Sequence, residues 1–319
     1  MSRIVFTQGG KIWVADENGH HRRPLVRGSS PEISPDGHWV AFQRNCFGHG
    51  CLDVIDADGG TARTLARNVD QPVWSPDSRH LAALGSTPEP YFEDQLVTVD
   101  RATAKRHWIA VAPNILGFDF SPDGRRLAFA LGRFPGEQSD VYVCGRDGGA
   151  LRRLTWDDRS SYPVWTPDDK IVFSHREGPL GPFYHDQVWG KHRIWKMRPD
   201  GREREVLTAR LRPAITDERL GLRAVAWSRD GNTLLAVSPT HIGDYVYVVT
   251  AGGSIRSLGD HGYLGYASAL DISRDGRFVF VWDQLDGPDS RRTRLELVPT
   301  SGGPIRVIER NAGPPSWSR

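Results

Sequence analysis

The stretch DFSPDGRRLAF, residues 119–129, carries the pattern that decides the fold of this 319-residue chain. Ser-Pro-Asp-Gly is typical of a tight turn, because Pro presets the backbone at the first turn position and Asp and Gly accept the conformations that follow. A short strand leads into this turn and an apolar strand leads out of it. Related stretches occur at residues 32–42, 73–83, 164–173, 226–236 and 271–280. One hairpin is therefore repeated along the chain.

The spacing of the repeats indicates the architecture. Each repeat has a hydroxyl residue in the same place: Ser34, Ser75, Ser121, Thr166, Ser228, Ser273 and, at the end of the chain, Ser318. The intervals between them are 41, 46, 45, 62, 45 and 45 residues. A period near 45 residues is typical of one four-stranded blade of a β-propeller.

The two ends of the chain complete the count of blades. Residues 1–30 provide three strands and lack a first strand, and residues 313–319 repeat the first strand alone. We predict an all-β fold: a single seven-bladed β-propeller domain over residues 1–319, with four-stranded antiparallel blades, closed by pairing the C-terminal strand with the N-terminal strands. The other six blades are expected to start near residues 31, 72, 118, 163, 225 and 270.

The Ser-Pro-Asp-Gly units, clearest at 34–37 and 121–124, resemble the TolB-like, WD40-like propeller repeat, often called PD40. The resemblance covers essentially the whole chain, although Arg229 and Arg274 replace Pro in the last repeats. It implies a propeller fold. Familiar TolB proteins are periplasmic, have an additional N-terminal domain and have six blades, so the role of TolB in envelope assembly is not expected to carry over to a seven-bladed chain.

Composition narrows the class of partner. The chain has 41 Lys and Arg against 39 Asp and Glu, a net charge of +2, and no basic cluster, which argues against nucleic acid as the partner. No stretch is apolar enough for a signal peptide or a membrane span. We therefore expect a cytoplasmic monomer with no membrane partner. The sequence contains no Gly-x-Ser-x-Gly elbow, the motif of an attached hydrolase domain. It also contains no phosphate-binding Gly-rich loop, which argues against nucleotide chemistry.

A propeller of this kind has two unlike faces. We call the side with the first-to-second and third-to-fourth turns the plain face, because these turns are short and uniform. The opposite side, with the second-to-third loops and the blade-to-blade connections, is the decorated face. Its longest segments are residues 175–192 and 209–223, both in the fourth blade. Long loops on a rigid scaffold commonly carry function, although insertions can also simply be tolerated.

Three carboxylates share one register position, two residues before the repeat hydroxyl: Glu32, Asp119 and Asp271. If they converge on the channel axis, they could hold Ca²⁺ or Mg²⁺ or orient a cationic substrate. The alternative is that each one hydrogen-bonds to neighbouring backbone or to water in the channel.

Histidines and aromatic residues also concentrate on the decorated face. Imidazole can act as a general base or metal ligand, and the candidates for a catalytic role are His49, His185, His241 and His261. The candidates for contact with a ligand or partner are Tyr91, Phe92, Trp156, Phe183, Tyr184 and Trp189. By contrast, the Trp residues just before the repeat hydroxyls, at 74, 165, 227 and 317, are expected to pack between blades.

Cys46 and Cys51 bracket a hairpin loop that contains His49. A zinc site would need a fourth ligand and no second pair follows, so reduced thiols or a strand-bridging disulfide are the expected states. Cys144 lies in an apolar strand and is expected in the core.

Two functions from different classes fit these residues. The leading interpretation is a binding or scaffold module that presents the decorated face to a peptide, a protein or a small molecule. The alternative is a propeller enzyme with its site at the channel mouth, either a metal-assisted lyase or hydrolase or an enzyme of natural-product tailoring or cyclisation.

Overall fold

The computed structural model describes residues 3–46, 49–87, 93–133, 138–177, 183–184, 187–188, 191–208, 222–240, 243–258, 270–273, 275–284, 293–313 and 315–318. Within these ranges the regular elements are β-strands, and they form seven four-stranded antiparallel sheets and one two-stranded ribbon. The described part of the chain contains no helix with the length and apolar character needed to cross a bilayer.

The first three blades follow one another along the chain. Blade 1 has β4 Ser29–Ile33, β5 Trp39–Cys46, β6 His49–Asp56 and β7 Arg63–Arg67. Blade 2 has β8 Val69–Trp74, β9 His80–Ser86, β10 Asp94–Asp100 and β11 Arg106–Ala112. Blade 3 has β12 Asn114–Phe120, β13 Arg126–Arg133, β14 Gln138–Gly145 and β15 Arg152–Arg153.

The next three blades continue the pattern. Blade 4 has β16 Ser160–Trp165, β17 Ile171–Glu177, β20 Lys191–Met197 and β21 Glu205–Val206, with the ribbon β18 Phe183–Tyr184 and β19 Gln187–Val188 inserted between β17 and β20. Blade 5 has β22 Arg223–Trp227, β23 Thr233–Thr240, β24 Gly243–Thr250 and β25 Ile255–Ser257. Blade 6 has β26 Leu270–Ile272, β27 Phe278–Gln284, β28 Thr293–Pro299 and β29 Arg306–Arg310.

Blade 7 joins the two ends of the chain, as predicted. It consists of β1 Arg3–Gln8, β2 Lys11–Asp16, β3 Arg23–Arg27 and β30 Ser316–Trp317. β30 pairs with β1 through Trp317 opposite Ile4 and Ser316 opposite Val5. β30 also contacts both β26 and β4, so the innermost strands close into a ring.

The repeated turn is held by one set of hydrogen bonds. In blade 3, Ser121 Oγ donates to Asp123 Oδ1 (2.6 Å) and accepts from the backbone N–H of Arg126 (2.9 Å). The same carboxylate oxygen accepts from the N–H of Arg125 (3.0 Å). The equivalent hydroxyl-to-Asp bond is present at Ser34, Ser75, Thr166, Ser228 and Ser273. The residue types of the repeat are therefore explained by hydrogen bonding within its turn.

The core lies between the blades. The four repeat Trp residues are buried in clusters that join neighbouring sheets, as predicted: Trp74, Trp165, Trp227 and Trp317. The second strands are buried on both faces, as at Leu127, Ala128 and Phe129. Each sheet is thus sandwiched between its neighbours.

The two faces are arranged as predicted. On the plain face, third-to-fourth turns bond to first-to-second turns, as in the N–H of Arg146 to the carbonyl of Arg125 (2.9 Å). On the decorated face, the blade-to-blade connection at Asn68 bonds through its N–H to the carbonyl of Gly50, at the start of the third strand of blade 1 (2.8 Å). β17 and β20 are antiparallel partners, so the long blade 4 segment between them also leaves from the decorated face.

The first strands of five blades start two to four residues before the predicted positions, at Ser29, Val69, Asn114, Ser160 and Arg223. The reason is a register shift inside each of these strands, which lets pairing resume beyond an irregular residue. In blade 6 the described part of the first strand begins at Leu270, and the residues just before it lie outside the described ranges.

Candidate functional site

A cavity of about 1380 Å³ lies at the mouth of the central channel on the decorated face. We call it the channel-mouth cavity. Its wall is formed by the first strands of blades 1 to 5 and by the second-to-third connections of blades 1 and 2. It is larger than a typical small-molecule pocket of about 300–1,000 Å³.

The cavity wall contains four backbone irregularities at one register position, four residues before the repeat hydroxyl. Ser30, Gln71, Gly117 and Tyr162 have positive φ angles of 46°, 48°, 83° and 49°. Each lies within the register shift of its strand. Such bulges re-aim a side chain, and left-handed backbone at Gln or Tyr is uncommon and concentrates at functional sites.

The bulges of blades 3 and 4 are in direct contact. A Cβ atom added to Gly117 would lie 3.0 Å from the Cα atom of Tyr162. Only glycine fits this approach of two backbones, and its positive φ is also unstrained. The two bulges are consequently packed backbone against backbone at this point of the wall.

Blade 2 supplies the acidic part of the wall. Asp70, in the first strand, and Asp94, at the start of the third strand, both line the cavity. Asp94 Oδ2 accepts the N–H of Ile115 in blade 3 (2.8 Å). Burial, and then the charge of Asp94, raise the pKa of Asp70 above its ordinary value. A cation beside these two carboxylates would offset their mutual repulsion.

The junction of blades 4 and 5 supplies a cationic part of the same wall. The guanidinium carbon of Arg223 lies 4.5 Å from the centroid of the Tyr162 ring. This cation–π contact orients the guanidinium at the cavity wall. The channel mouth therefore has opposite charges in blade 2 and in blade 5.

These residues were not among the sequence predictions. Asp70 and Arg223 both lie five residues before a repeat hydroxyl, whereas the predicted carboxylates lie two residues before it. The same register comparison, applied to position minus five, would have found both. The left-handed backbone at Gln71 and Tyr162 could not be predicted from the sequence, because neither residue type favours a positive φ.

The three predicted metal ligands form bonds between blades instead. Asp119 Oδ2 accepts a hydrogen bond from the backbone N–H of Trp165 in blade 4 (2.8 Å). Asp271 Oδ2 accepts one from the backbone N–H of Trp317 in blade 7 (2.8 Å). Glu32 Oε2 accepts from Ser316 Oγ (2.7 Å). Across the described ranges, no three His, Cys, Asp or Glu side chains are grouped closely enough to hold a metal ion. The structure thus pairs Asp119 and Asp271 with backbone N–H groups and Glu32 with a side-chain hydroxyl, and metal binding stays a prediction.

The predicted catalytic histidines cannot be placed. His185, His241 and His261 lie outside the described residues, and at His49 the structure describes the backbone in β6 but not the side chain. The same holds for most of the aromatic candidates. Tyr91, Phe92 and Trp189 lie outside the described residues, and Phe183 and Tyr184 are described as the backbone of β18.

Trp156 is the one predicted contact residue whose side chain is described. It is 66% exposed, the highest value among the large hydrophobic residues described, and the guanidinium of Arg153 lies 5.9 Å from its ring. Its position in the connection between blades 3 and 4 agrees with the prediction that it is accessible. A role in partner contact stays a prediction.

A second cavity, of about 490 Å³, borders His175 in blade 4. His175 Nδ1 lies 3.3 Å from Ser160 Oγ and 3.8 Å from Asp157 Oδ2. Ser160 is buried and also donates to Asp157 Oδ1 (3.0 Å). Both groups face the same ring nitrogen, unlike a catalytic triad, where the nucleophile and the acid face opposite nitrogens. This arrangement orients the imidazole, and burial lowers the pKa of His175.

The cysteines differ in state. Cys51 is disulfide-bonded. Cys144 is a free thiol buried in the core, as predicted, and burial raises its pKa to about 12. Its thiol is therefore unreactive near neutral pH.

Comparison with known proteins agrees with this architecture. No protein-family model matches the chain. An uncharacterized protein of Agrobacterium fabrum is 30% identical over 44% of this chain and 48% of its own length. A TolB homolog of Chlorobium chlorochromatii is 34% identical over 41% of this chain and 32% of its own length. The chain thus spans less than half the length of these relatives.

Solved structures extend the likeness to nearly the whole fold. TolB of Acinetobacter baumannii aligns with 99% of this chain and 66% of its own, at a TM-score of 0.56 and 15% identity. Acylaminoacyl peptidase of Pyrococcus horikoshii aligns with 97% of this chain and 50% of its own (TM-score 0.66, 14% identity). An oligogalacturonate lyase in complex with manganese aligns with 96% and 83% (TM-score 0.61, 16% identity).

The fold and the cavity define a closed β-propeller with a polar channel mouth. The chain is a seven-bladed β-propeller that is similar to TolB proteins, in sequence over part of its length and in structure over nearly all of it. At sequence identities this low, the similarity to solved structures shows the fold alone.

Proposed function

We propose that this TolB-like propeller is a binding module whose ligand occupies the channel-mouth cavity on the decorated face. The observation that carries the proposal is the row of four bulges at one register position, each lining the same cavity. Left-handed backbone is energetically costly at Gln71 and Tyr162, and both residues line the cavity.

The enzyme alternative has less support among the described residues. A metal-assisted reaction would need converging ligands, whereas Asp119 and Asp271 bond to the backbone of the next blade. The His175 group lacks the geometry of a nucleophile and its base, because Ser160 is buried and shares one ring nitrogen with Asp157. Binding without chemistry is the function that the described geometry supports best.

The expected cytoplasmic location stays a prediction. The disulfide at Cys51 favours an oxidising compartment, as does the similarity to TolB, since disulfides are rare in the reducing cytosol. Fusions of the protein to alkaline phosphatase and to β-galactosidase, which are active on opposite sides of the inner membrane, would locate it. Activity of the β-galactosidase fusion alone supports the cytoplasm.

A cavity-blocking variant tests the proposed function. Ser86 is exposed and lines the cavity, so Ser86→Trp should fill its mouth without disturbing the core. The matched control is Ser301→Trp, in an exposed turn of the plain face. A mixed library of peptides of four to eight residues serves as the probe, with bound peptides quantified by mass spectrometry after gel filtration.

The expected result is that wild type and Ser301→Trp retain the same peptides, whereas Ser86→Trp loses them. The proposal is overturned if no peptide is retained by the wild type, or if Ser86→Trp retains the same set. Unfolding midpoints of both variants show whether they fold alike.

A further inference from the structure

The outermost strand of blade 2, β11, is a long open sheet edge. It ends the strand order β11-β10-β9-β8, so no described strand pairs with its outer side. β11 has seven residues, whereas the outer strands of blades 3, 4 and 5 have two, two and three in the described ranges. An unpaired strand of this length presents a row of backbone N–H and C=O groups with which another strand can pair.

A β-bulge places two apolar side chains of β11 on one face. The register of β11 against β10 shifts between Leu96 and Val97, so that Trp108 lies opposite Val97 and Val111 lies opposite Gln95. Residues two apart in a strand share a face, and directly opposite residues share it too. Trp108 is 58% exposed and Val111 is 50% exposed. The open edge is therefore flanked by two exposed apolar groups on the same side.

The corresponding edges of other blades have a charged residue at this place. The outer strands of blades 7, 1 and 6 have the same bulge as β11. Two residues beyond the extra residue of the bulge, β11 has Val111 and the three other strands have Arg27, Arg67 and Arg310. Charged side chains on an edge strand oppose the addition of a further strand. Of the four bulged edges described, the edge of blade 2 alone has no charge at this position.

The end of β11 at the plain face is basic. Lys105 and Arg106 are exposed, and within the described part of the chain their side chains form no hydrogen bond or ion pair. The nearest acidic residue along the chain, Asp100, accepts hydrogen bonds inside its own turn. Asp147 of blade 3 interacts with His107, which lies on the other face of β11. An acidic group on a partner would complement the charge of this end.

We propose that β11 is a docking edge for an extended segment of a partner protein. The segment adds to blade 2 as a fifth strand, with acidic residues facing Arg106 and apolar residues facing Trp108 and Val111. In this mode of recognition, main-chain hydrogen bonds provide affinity and the side chains beside the edge provide specificity. A second copy of β11 matches less well, because the strand contains no acidic residue that could face Arg106. The docking edge lies on the outer rim of the propeller and is separate from the proposed ligand site at the channel mouth.

Fluorescence anisotropy with three blocked heptapeptides tests the inference. The probe is Glu-Thr-Val-Thr-Val-Thr-Glu, which has Glu and Val on one face and the same order of side chains in both directions. The comparison peptides have Gln or Lys in place of both Glu residues. We expect the Gln peptide to bind about threefold or more weakly than the Glu peptide, because exposed ion pairs are lost, and the Lys peptide to bind more weakly still. At saturating Glu peptide, hydrogen exchange of the β11 amides should slow.

Variants of β11 assign the contacts. Trp108→Thr introduces the residue type of blade 1 at this register position and should weaken binding of the Glu peptide about tenfold. The double variant Lys105→Gln, Arg106→Gln should abolish the preference for the Glu peptide over the Gln peptide. The matched controls are Trp156→Thr and Arg125→Gln, which change exposed residues outside β11 and should leave binding unchanged. Unfolding midpoints show whether all variants fold alike.

The outcomes separate this inference from the proposed function. Ser86→Trp, which blocks the channel mouth, should leave binding of the Glu peptide unchanged. If Ser86→Trp abolishes that binding and Trp108→Thr does not affect it, the peptide occupies the channel mouth and the docking edge alone is wrong. The docking edge is also wrong if none of the peptides binds, if the Glu and Lys peptides bind equally, or if the β11 amides gain no protection.

Sedimentation velocity tests for the other occupant. A wild-type dimer that Trp108→Thr abolishes would show that a second copy of the chain occupies the edge, and would overturn the assignment of an acidic partner. We expect the wild type and Trp108→Thr to sediment alike.

Discussion

Ser318 and Arg3, at opposite ends of the chain, make the hydrogen bonds of a repeat turn. Ser318 Oγ accepts the N–H of Arg3 (2.9 Å), and the N–H of Ser318 donates to the Arg3 carbonyl (3.0 Å). In blade 3, Ser121 and Arg126 make the same two bonds at 2.9 and 3.0 Å. The ring is thus closed by the ordinary repeat interaction, formed between segments that no turn connects.

Replacing the closing hydroxyl should weaken the fold. Ser318→Ala leaves the Arg3 N–H without this acceptor in a largely buried place, and we expect a loss of about 1–2 kcal/mol in the free energy of unfolding. Removal of residues 313–319 should abolish cooperative folding, because it also exposes the edge of β1. Urea unfolding followed by circular dichroism measures both. Ser301→Ala, on the exposed plain face, is the control, and an unchanged midpoint in the truncated chain would contradict the closure.

Acid should destabilise the protein through the repeated turns. Burial alone would raise the pKa of Asp123, but hydrogen bonds from Ser121 and Arg125 outweigh it, so the pKa is lowered; Asp77, Asp230 and Asp275 behave alike. A carboxyl with a lower pKa in the folded state stabilises the fold above its unfolded value of about 3.9. This stabilisation is lost as the pH falls from there through the folded values.

The variant Asp123→Asn checks that assignment. It should cost about 1 kcal/mol or less near neutral pH, because Asp123 is largely exposed, and should reduce the slope of stability against pH below pH 4. Urea midpoints between pH 2.5 and 7 provide the measurement. Parallel curves for wild type and variant would show that this carboxyl does not titrate differently in the folded state.

The sequence was sufficient for the fold because each blade repeats its own local hydrogen bonds. Ser121 and Asp123 are close in the chain, and their roles follow from turn chemistry. The pairing of the strand before Ser318 with the strand that starts at Arg3 could also be predicted, because blade 7 needs a first strand and residues 313–319 repeat that strand. Local rules of this kind need no tertiary information.

The channel-mouth cavity could not be predicted in the same way. The contact of Arg223 with Tyr162 joins two blades, and it depends on a bulge that the residue type of Tyr162 does not favour. Asp70 and Asp94 come together across one sheet. The predicted carboxylates at position minus two were correctly placed in register, but which groups they bond to depends on the neighbouring blade.

The bulge at Gly117 should tolerate no side chain. Gly117→Ala adds a Cβ 3.0 Å from the Tyr162 Cα and forces an L-residue to a φ of +83°. We expect a loss of about 1–3 kcal/mol in the free energy of unfolding. Gly252→Ala is the control, since Gly252 is exposed and a Cβ there meets only Thr250 Oγ1 at 3.9 Å. Equal unfolding midpoints for the two variants would mean that the contact between the bulges can relax.

His175 should make stability depend on pH in the range just below pH 6.5, above the range in which the turn carboxyls titrate. Burial lowers its pKa in the folded state, outweighing the attraction of Asp157 and Glu177. As the pH falls below about 6.5, the unfolded chain takes up the proton first, so the free energy of unfolding decreases until the folded pKa is reached. His175→Gln should flatten this part of the curve. An NMR titration of the imidazole that gave a pKa above 6.5 would contradict the expectation.

The bond between Asp271 and Trp317 distinguishes a structural carboxylate from a metal ligand. Asp271→Ala removes the acceptor of the buried backbone N–H of Trp317. We therefore expect a loss of about 1–3 kcal/mol in the free energy of unfolding whether or not a chelator is present. Asp119→Ala should behave in the same way through Trp165. If these carboxylates instead held Ca²⁺ or Mg²⁺, EDTA would lower the melting temperature of the wild type and leave that of both variants unchanged. Elemental analysis of the purified wild type and of both variants completes the test. A stoichiometric metal in the wild type that both variants lack would show that these carboxylates are metal ligands and would contradict the structural role assigned here.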